Sequence, residues 1–140
     1  MNCMFPRAIA VLLASTAYVW AGDVEKVSVH ELKSRASSLQ LKLVAIEGTA
    51  KNLRPLPPHV GGTDGGCMVY GSYLFTLTDQ NEEVDVQVSG FCNKIHAEIP
   101  VSEDDPVSVV GRVEFFHPGD FGFRDPTVRI EAVEVRRQAP

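Results

Sequence analysis

Apolar side chains occupy every second position in two stretches that share one phrase. Val44-Ala45-Ile46-Glu47-Gly48-Thr49-Ala50 and Val107-Ser108-Val109-Val110-Gly111-Arg112-Val113 both read V-x-[IV]-x-G-x-[AV]. A period of two puts those residues on one face of a strand. A glycine inside a strand marks a bulge or a sharp bend where another backbone comes close. Two bent strands of this kind predict a small closed barrel.

The remaining elements follow in chain order. Ser28-Val29-His30-Glu31 is a capping box that opens a helix, and Val29, Leu32, Ala36 and Leu39 give that helix a narrow apolar stripe that must pack on something else. His30 falls in the polar first turn and reads as solvated. Residues 41–50 form the first bent strand. Residues 53–71 hold Pro55, Pro57 and Pro58 and four glycines before Gly71, a composition that predicts a long connection without regular structure. Its run from Gly61 to Gly66 lacks the lysine and following helix of a phosphate-cradling loop, so it reads as flexible chain.

Residues 73–78 and 84–89 alternate as a second and third strand, joined by Asp79-Gln80-Asn81-Glu82 as a tight hairpin loop. Setting Leu77 opposite Val84, Phe75 opposite Val86 and Tyr73 opposite Val88 buries six apolar side chains together. A slip of one residue would put valines against threonines. The opposite face is then Leu74, Thr76, Thr78, Asp85, Gln87 and Ser89. Residues 91–99 carry Cys92, Ile95, His96 and Ile99 at helical spacing before Pro100 and predict a short helix. Residues 106–116 are the second bent strand, 117–126 an aromatic, turn-rich loop, and 127–135 the last strand, whose slip at Ala132-Val133 implies a bulge. Residues 136–140 are a frayed tail.

This order of strand, long loop, hairpin, short helix, strand, aromatic loop and strand resembles the OB-fold, the five-stranded Greek-key barrel. More narrowly, the chain is similar to small exported bacterial OB-fold proteins of the kind grouped with tRNA-anticodon-binding-like domains. The resemblance covers residues 41–135 and is carried by the twin phrases and by Phe75-x-Leu77-x-Asp79 at the start of the hairpin. It implies an all-β fold with an N-terminal helix and a short helix between strands 3 and 4. It also implies a ligand face on strands 2 and 3, flanked by the strand 1–2 and strand 4–5 loops. One fold hosts many functions, so the residues on that face decide what it binds.

Composition adds a compartment. The chain has 140 residues, 44% hydrophobic and 22% charged, the profile of one globular domain. Residues 1–21 differ: Arg7 is their one charged side chain, residues 8–17 are largely apolar, and Val19-Trp20-Ala21 offers small residues where a signal peptidase cuts. The segment reads as a secretory signal peptide cleaved after Ala21, or else after Ala17. An uncleaved anchor is the competing reading, but the apolar run is shorter than the ~20 residues a span needs. The domain plan is a signal peptide over 1–21, an N-terminal lead and helix over 22–40, a barrel over 41–135 and a tail over 136–140. Removing Arg7 from the 13 basic residues leaves 12 against 18 acidic ones, a formal charge of −6. That sign opposes generic attraction to phosphate backbones.

Single-stranded nucleic acid needs stacking aromatics and basic side chains on the ligand face, and the outer face of strands 2 and 3 has neither. The loops hold more: Arg54, His59 and Tyr70 in the first and Phe121, Phe123 and Arg124 in the second are the candidate contacts with a partner. Phe121 and Phe123 either stand out as anchors or fold back to plug the barrel end. Cys67 and Cys92 read first as a disulfide in an exported chain. Extending the hairpin register sets Cys92 opposite residue 69 and so brings the thiols together. The alternative is a metal site from Cys67, Cys92, His96 and His59. No nucleophile elbow or H-E-x-x-H motif is present, and Glu103-Asp104-Asp105 reads as a solvated turn, so no reaction class is proposed.

The sequence therefore points to a non-enzymatic, monomeric, periplasmic or secreted OB-fold binding module without a cofactor or a membrane span after signal cleavage. It recognises a protein or small ligand through the strand 1–2 and strand 4–5 loops. Nucleic acid is not its expected partner. Single-stranded nucleic-acid binding and metal binding stand as the alternatives.

Overall fold

A computed structural model describes residues 23–61 and 66–139. The signal-peptide reading of residues 1–21 lies outside the described residues, as do residues 62–65 of the long connection. In chain order the elements are β1 (Glu25–Lys26), α1 (Val29–Ser34), α2 (Ala36–Leu39), β2 (Leu43–Pro55), β3 (His59–Gly61), β4 (Cys67–Tyr70), β5 (Tyr73–Asp79), β6 (Glu82–Val88), β7 (Phe91–Cys92), β8 (Pro106–Phe116), a 3-10 turn at Asp120–Gly122, and β9 (Thr127–Arg137). Strands β2, β5, β6, β9 and β8 hydrogen-bond in that order, and β8 closes back onto β2. Strands β6 and β9 run parallel, and the other barrel pairs antiparallel. This is the OB-fold barrel.

The twin phrases are partners. Val44 lies opposite Gly111, Ile46 opposite Val109 and Gly48 opposite Val107, so each phrase sets its first valine against the other's glycine. The glycines are needed because a third strand presses on each. A Cβ at Gly48 would sit 2.6 Å from the Thr78 carbonyl oxygen of β5, and one at Gly111 would sit 2.4 Å from the Ile130 side chain and 2.7 Å from the Glu131 carbonyl oxygen of β9. Opposite Gly111 the β9 ladder slips: Val110 pairs with Glu134 but Gly111 pairs with Ala132. Val133 is the extra residue and stands exposed.

The hairpin register pairs Tyr73 with Val88, Phe75 with Val86 and Leu77 with Val84. Gln80 and Asn81, at φ 49° and 65°, make the two-residue type I′ turn whose twist suits a hairpin. Inside the barrel, Val44, Ile46, Phe75, Leu77, Val107 and Ile130 are fully enclosed. Tyr73 is buried too. Its hydroxyl has no hydrogen-bond partner among the described residues, and burial pushes its pKa up.

The capping box forms: Ser28 Oγ accepts from Glu31 N at 3.1 Å, and Glu31 Oε2 accepts from Ser28 N at 2.8 Å. The helix breaks once, at Arg35 (φ −116°, ψ 16°), yet Val29, Leu32, Ala36 and Leu39 are all buried, and Leu32 and Leu39 join the barrel core. His30, exposed as expected, also reaches Glu82 at 3.4 Å, and Lys33 donates to Glu82 at 2.8 Å. The Lys33 hydrogen bond, followed by that of His30, holds the Glu82 carboxyl below its ordinary range.

Two expectations are corrected. Residues 91–99 do not form the short helix between strands 3 and 4. Phe91 and Cys92 extend the hairpin ladder by pairing with β4, and Asn93, at φ 54°, donates its N–H to the Met68 carbonyl at 2.7 Å. The helical spacing also had little to bury, since Ile95 is 67% exposed and only Ile99 packs on the core. Residues 53–71 are not without regular structure either. Strand β2 runs on to Pro55, and β3, β4 and β7 make a small antiparallel sheet of their own.

Gly111→Ala is expected to lower unfolding free energy by about 1–3 kcal/mol, the usual cost of overpacking a tight contact. Urea denaturation measures it. An unchanged midpoint would show that the β8–β9 approach is not tight.

Candidate functional site

Because inward and outward residues alternate along every barrel strand, the outer face of β5 and β6 can be read in rows. One row runs Arg54, Leu74, Gln87, and the next runs Thr76, Asp85, Arg129, Glu114 across β5, β6, β9 and β8. Thr76 Oγ1 donates to Asp85 Oδ1 at 3.3 Å. The Arg129 guanidinium grips Glu114 Oε2 through two nitrogens, each at 2.7 Å.

Arg54 belongs to this face only because of a bulge. Lys51 pairs with Thr76 and Arg54 with Leu74, so β2 spends one more residue than β5 between those pairs. Asn52 takes φ 53° there. An extra residue re-aims the side chains that follow it, which turns Arg54 outward. The bulge leaves two backbone N–H groups off the ladder, and both are satisfied by one side chain. Glu103 accepts from Asn52 N at 2.7 Å and from Leu53 N at 3.0 Å. Asp104 bonds Lys51, and Asp105 accepts from Ser102 N at 2.8 Å and pairs with Arg137 at 2.9 Å. The acidic triplet is the solvated turn expected, and through Glu103 it is also the clamp on the bulge.

The aromatic groups arrive from the far edge. Phe116 ends β8 on its outward parity, and the loop after it folds back over it. His117 N donates to Asp120 Oδ2 at 2.9 Å and Gly119 N to the Phe123 carbonyl at 2.7 Å. Phe123 stacks on Phe116 (centroids 5.2 Å, planes 30° apart), Phe121 meets Phe116 edge-on at 5.9 Å, and the Arg129 guanidinium sits 5.2 Å from the Phe116 centroid. Phe121 is 91% exposed. Neither phenylalanine plugs the barrel. Together with Arg54, Leu74, Asp85 and Arg129, Phe116 and Phe123 line a pocket of about 140 Å³. A wider groove of about 340 Å³ beside it is lined by Phe116, Phe121, Phe123 and Arg129. A larger hollow of about 620 Å³ lies between residues 23–25 and Lys42 and Leu43. It has no aromatic lining among the described residues, and its Glu25 is already bonded to Arg35.

Of the six candidate contact residues, the fold gathers Arg54, Phe121 and Phe123. Arg124 stays exposed in the same loop. His59 and Tyr70 lie in the separate β3–β4–β7 sheet, where His59 contacts the Pro57 carbonyl at 3.3 Å and Tyr70 pairs with Phe91. Phe116 and Arg129 are the additions. Strand parity pointed both outward, but neither lies on the two strands where a ligand face is usually sought.

Cys67 and Cys92 are bonded, with Cα atoms 5.5 Å apart, and Val69 is the residue opposite Cys92. The bridge removes both thiolates from the metal alternative. That alternative also needed Cys92 and His96 on one helical face, and the segment is not a helix. Among the described residues no cluster of three metal-ligating side chains occurs, and no helix is long and apolar enough to cross a membrane.

No protein-family model matches the chain, and no curated protein does. Solved structures share its fold. One is described as an aspartyl-tRNA synthetase from Leishmania major Friedlin (TM-score 0.55, 13% identity, covering 89% of this chain and 22% of that one). Another is an aspartyl tRNA synthetase from Entamoeba histolytica (TM-score 0.52, 12% identity, covering 86% of this chain and 24% of that one). The chain spans less than a quarter of the length of either. The expectation that nucleic acid is not a partner is withdrawn on these likenesses, since both of these proteins are named for tRNA. The face read from the sequence was also incomplete: the aromatics and cations lacking on β5 and β6 are supplied by β2, β8, β9 and the loop between the last two.

Two outcomes are expected. Glu103→Ala should speed hydrogen exchange at the Asn52 and Leu53 amides by about fivefold or more, as each loses its charged acceptor; unchanged exchange would refute the clamp. Replacing Cys67 and Cys92 together by alanine should cost about 3–4 kcal/mol in urea denaturation, the chain-entropy value for the loop they close. A change below about 1 kcal/mol would show that the loop is ordered without the bridge.

Proposed function

We propose that the chain is a non-enzymatic module that binds single-stranded nucleic acid on the outer face of β5 and β6, between the β2 bulge and the β8–β9 loop. The observation that carries this reading is the Phe116, Phe121, Phe123 and Arg129 cluster beside Arg54. Bases stack on exposed aromatic rings whatever their sequence, at about 1–3 kcal/mol per base. Phe121, held out by its left-handed backbone (φ 48°), offers a free ring at the mouth of the groove. The tRNA-linked names of the fold neighbours support the same reading.

The face is not a basic stripe. Arg129 is tied to Glu114, which leaves Arg54 and Arg124 as the cations without an ion pair among the described residues of the pocket and the β8–β9 loop. Binding is therefore led by stacking, and two phosphate contacts give a salt slope of only about −1.4 for a single strand. The protein works in an oxidising compartment, a reading supported by the Cys67–Cys92 bridge, since such bonds persist outside the reducing cytosol.

Fluorescence anisotropy with short labelled oligonucleotides tests the proposal. Phe121→Ala and Phe123→Ala should each weaken binding by about tenfold, within the range for one stacked base, with thermal melting unchanged. The proposal fails if the native protein binds no oligonucleotide at low salt, or if both variants bind as tightly as the native chain.

A further inference from the structure

Resting on that reading, we infer that the pocket between Phe123 and the β5–β6 face selects one base, an unpaired cytosine. Three features of the pocket specify it. The first is size: at about 140 Å³, the pocket matches the cavity of about 150 Å³ that holds a benzene ring, so it admits one six-membered ring. The second is its rings: Phe116 and Phe123 line it with aromatic surface, against which a planar base packs.

The third is its polarity. Asp85, ionised, accepts hydrogen bonds and donates none. Thr76 occupies Asp85 Oδ1, and Oδ2 has no partner among the described residues. Arg54 has only donors to offer. The two stand on β6 and β2, with Leu74 of β5 in Arg54's row and Thr76 of β5 in Asp85's. A base set between them must present a donor to Asp85 and acceptors to Arg54. Cytosine does this: its N4 amine donates, and N3 and O2 accept. Carboxylates are the side chains that accept from that amine. Uracil fits worse: the donor it can turn to Asp85 is its N3–H, which O2 and O4 flank, so a carbonyl lone pair is set beside the carboxylate whichever way the ring is turned. Discrimination against uracil is then built into Asp85 without any demand on the phosphates.

The test compares oligodeoxycytidylate with oligodeoxyuridylate by anisotropy, since the two share a backbone and differ only at the base edge. The native protein should favour the cytidylate by about tenfold, within the range for a specific side-chain contact to a base. Asp85→Asn should remove or invert the preference, because an amide can donate to uracil O4. Asp85 is exposed, so the variant should melt like the native chain. Equal native affinity for the two strands would overturn this inference and leave the binding reading standing, as would oligodeoxyadenylate binding as tightly as the cytidylate, which would refute the single-ring pocket. An Asp85→Asn variant that keeps the full preference would likewise overturn it. Absence of binding to every strand would overturn both.

Discussion

The barrel depends on the approach of three backbones at two glycines. A five-stranded sheet closes only if its strands bend sharply, and at each bend a neighbouring strand must come nearer than a Cβ allows. Gly48 gives way to β5 and Gly111 to β9. Because the two phrases pair with each other, both bends lie along the one seam, β2 against β8, that turns a sheet into a barrel. The bulge at Val133 relieves the same crowding from the other side of Gly111. Each element that carries a functional side chain leaves this seam. Strand β2 runs on to the bulge at Arg54, β8 runs on to Phe116 and its loop, and β9 returns with Arg129.

That seam was legible in the sequence because it is written in a period of two with a glycine at a fixed offset. The hairpin was legible for the same reason: parity alone fixes its register once one face is buried. The helix at Val29 was readable from a local capping device and a stripe that tertiary burial confirmed. The failure at residues 91–99 is instructive beside it. Cys92, Ile95, His96 and Ile99 show the same spacing as a buried stripe, but Ile95 stays exposed, and the hydrogen bonds of Phe91 and Cys92 are claimed by β4. A short apolar periodicity predicts a helix only when there is a surface to bury it against.

The site was half legible, and a single parity flip explains much of the rest. Counting inward positions along β2 from Val44, Ile46 and Ala50 would turn Arg54 into the barrel. The bulge reverses that, and its clamp, Glu103, lies 50 residues from Leu53. No local reading finds a contact of that separation, and the acidic triplet looks from sequence like any solvated turn. Phe116 was hidden differently. It shares its parity with Glu114, at the end of a strand whose interest lay in its valines, and it gains meaning only when Phe123 and Arg129 fold against it.

Net charge is a weak argument against a nucleic-acid partner, and the magnitudes show why. A formal charge of −5 is a property of the whole surface, while screening at physiological salt cuts charge interactions off within about 8 Å. Inside that radius the Arg129–Glu114 pair is locally neutral, and exposed Arg54 and Asp85 each contribute on the scale of a surface ion pair, about 0–1 kcal/mol. One stacked base contributes about 1–3 kcal/mol, so two rings outweigh the local charge balance. The acidic surface would act elsewhere, slowing encounter and suppressing non-specific attachment to phosphate backbones. On the proposed reading, a module of this composition holds a strand where the rings are and lets go of it everywhere else.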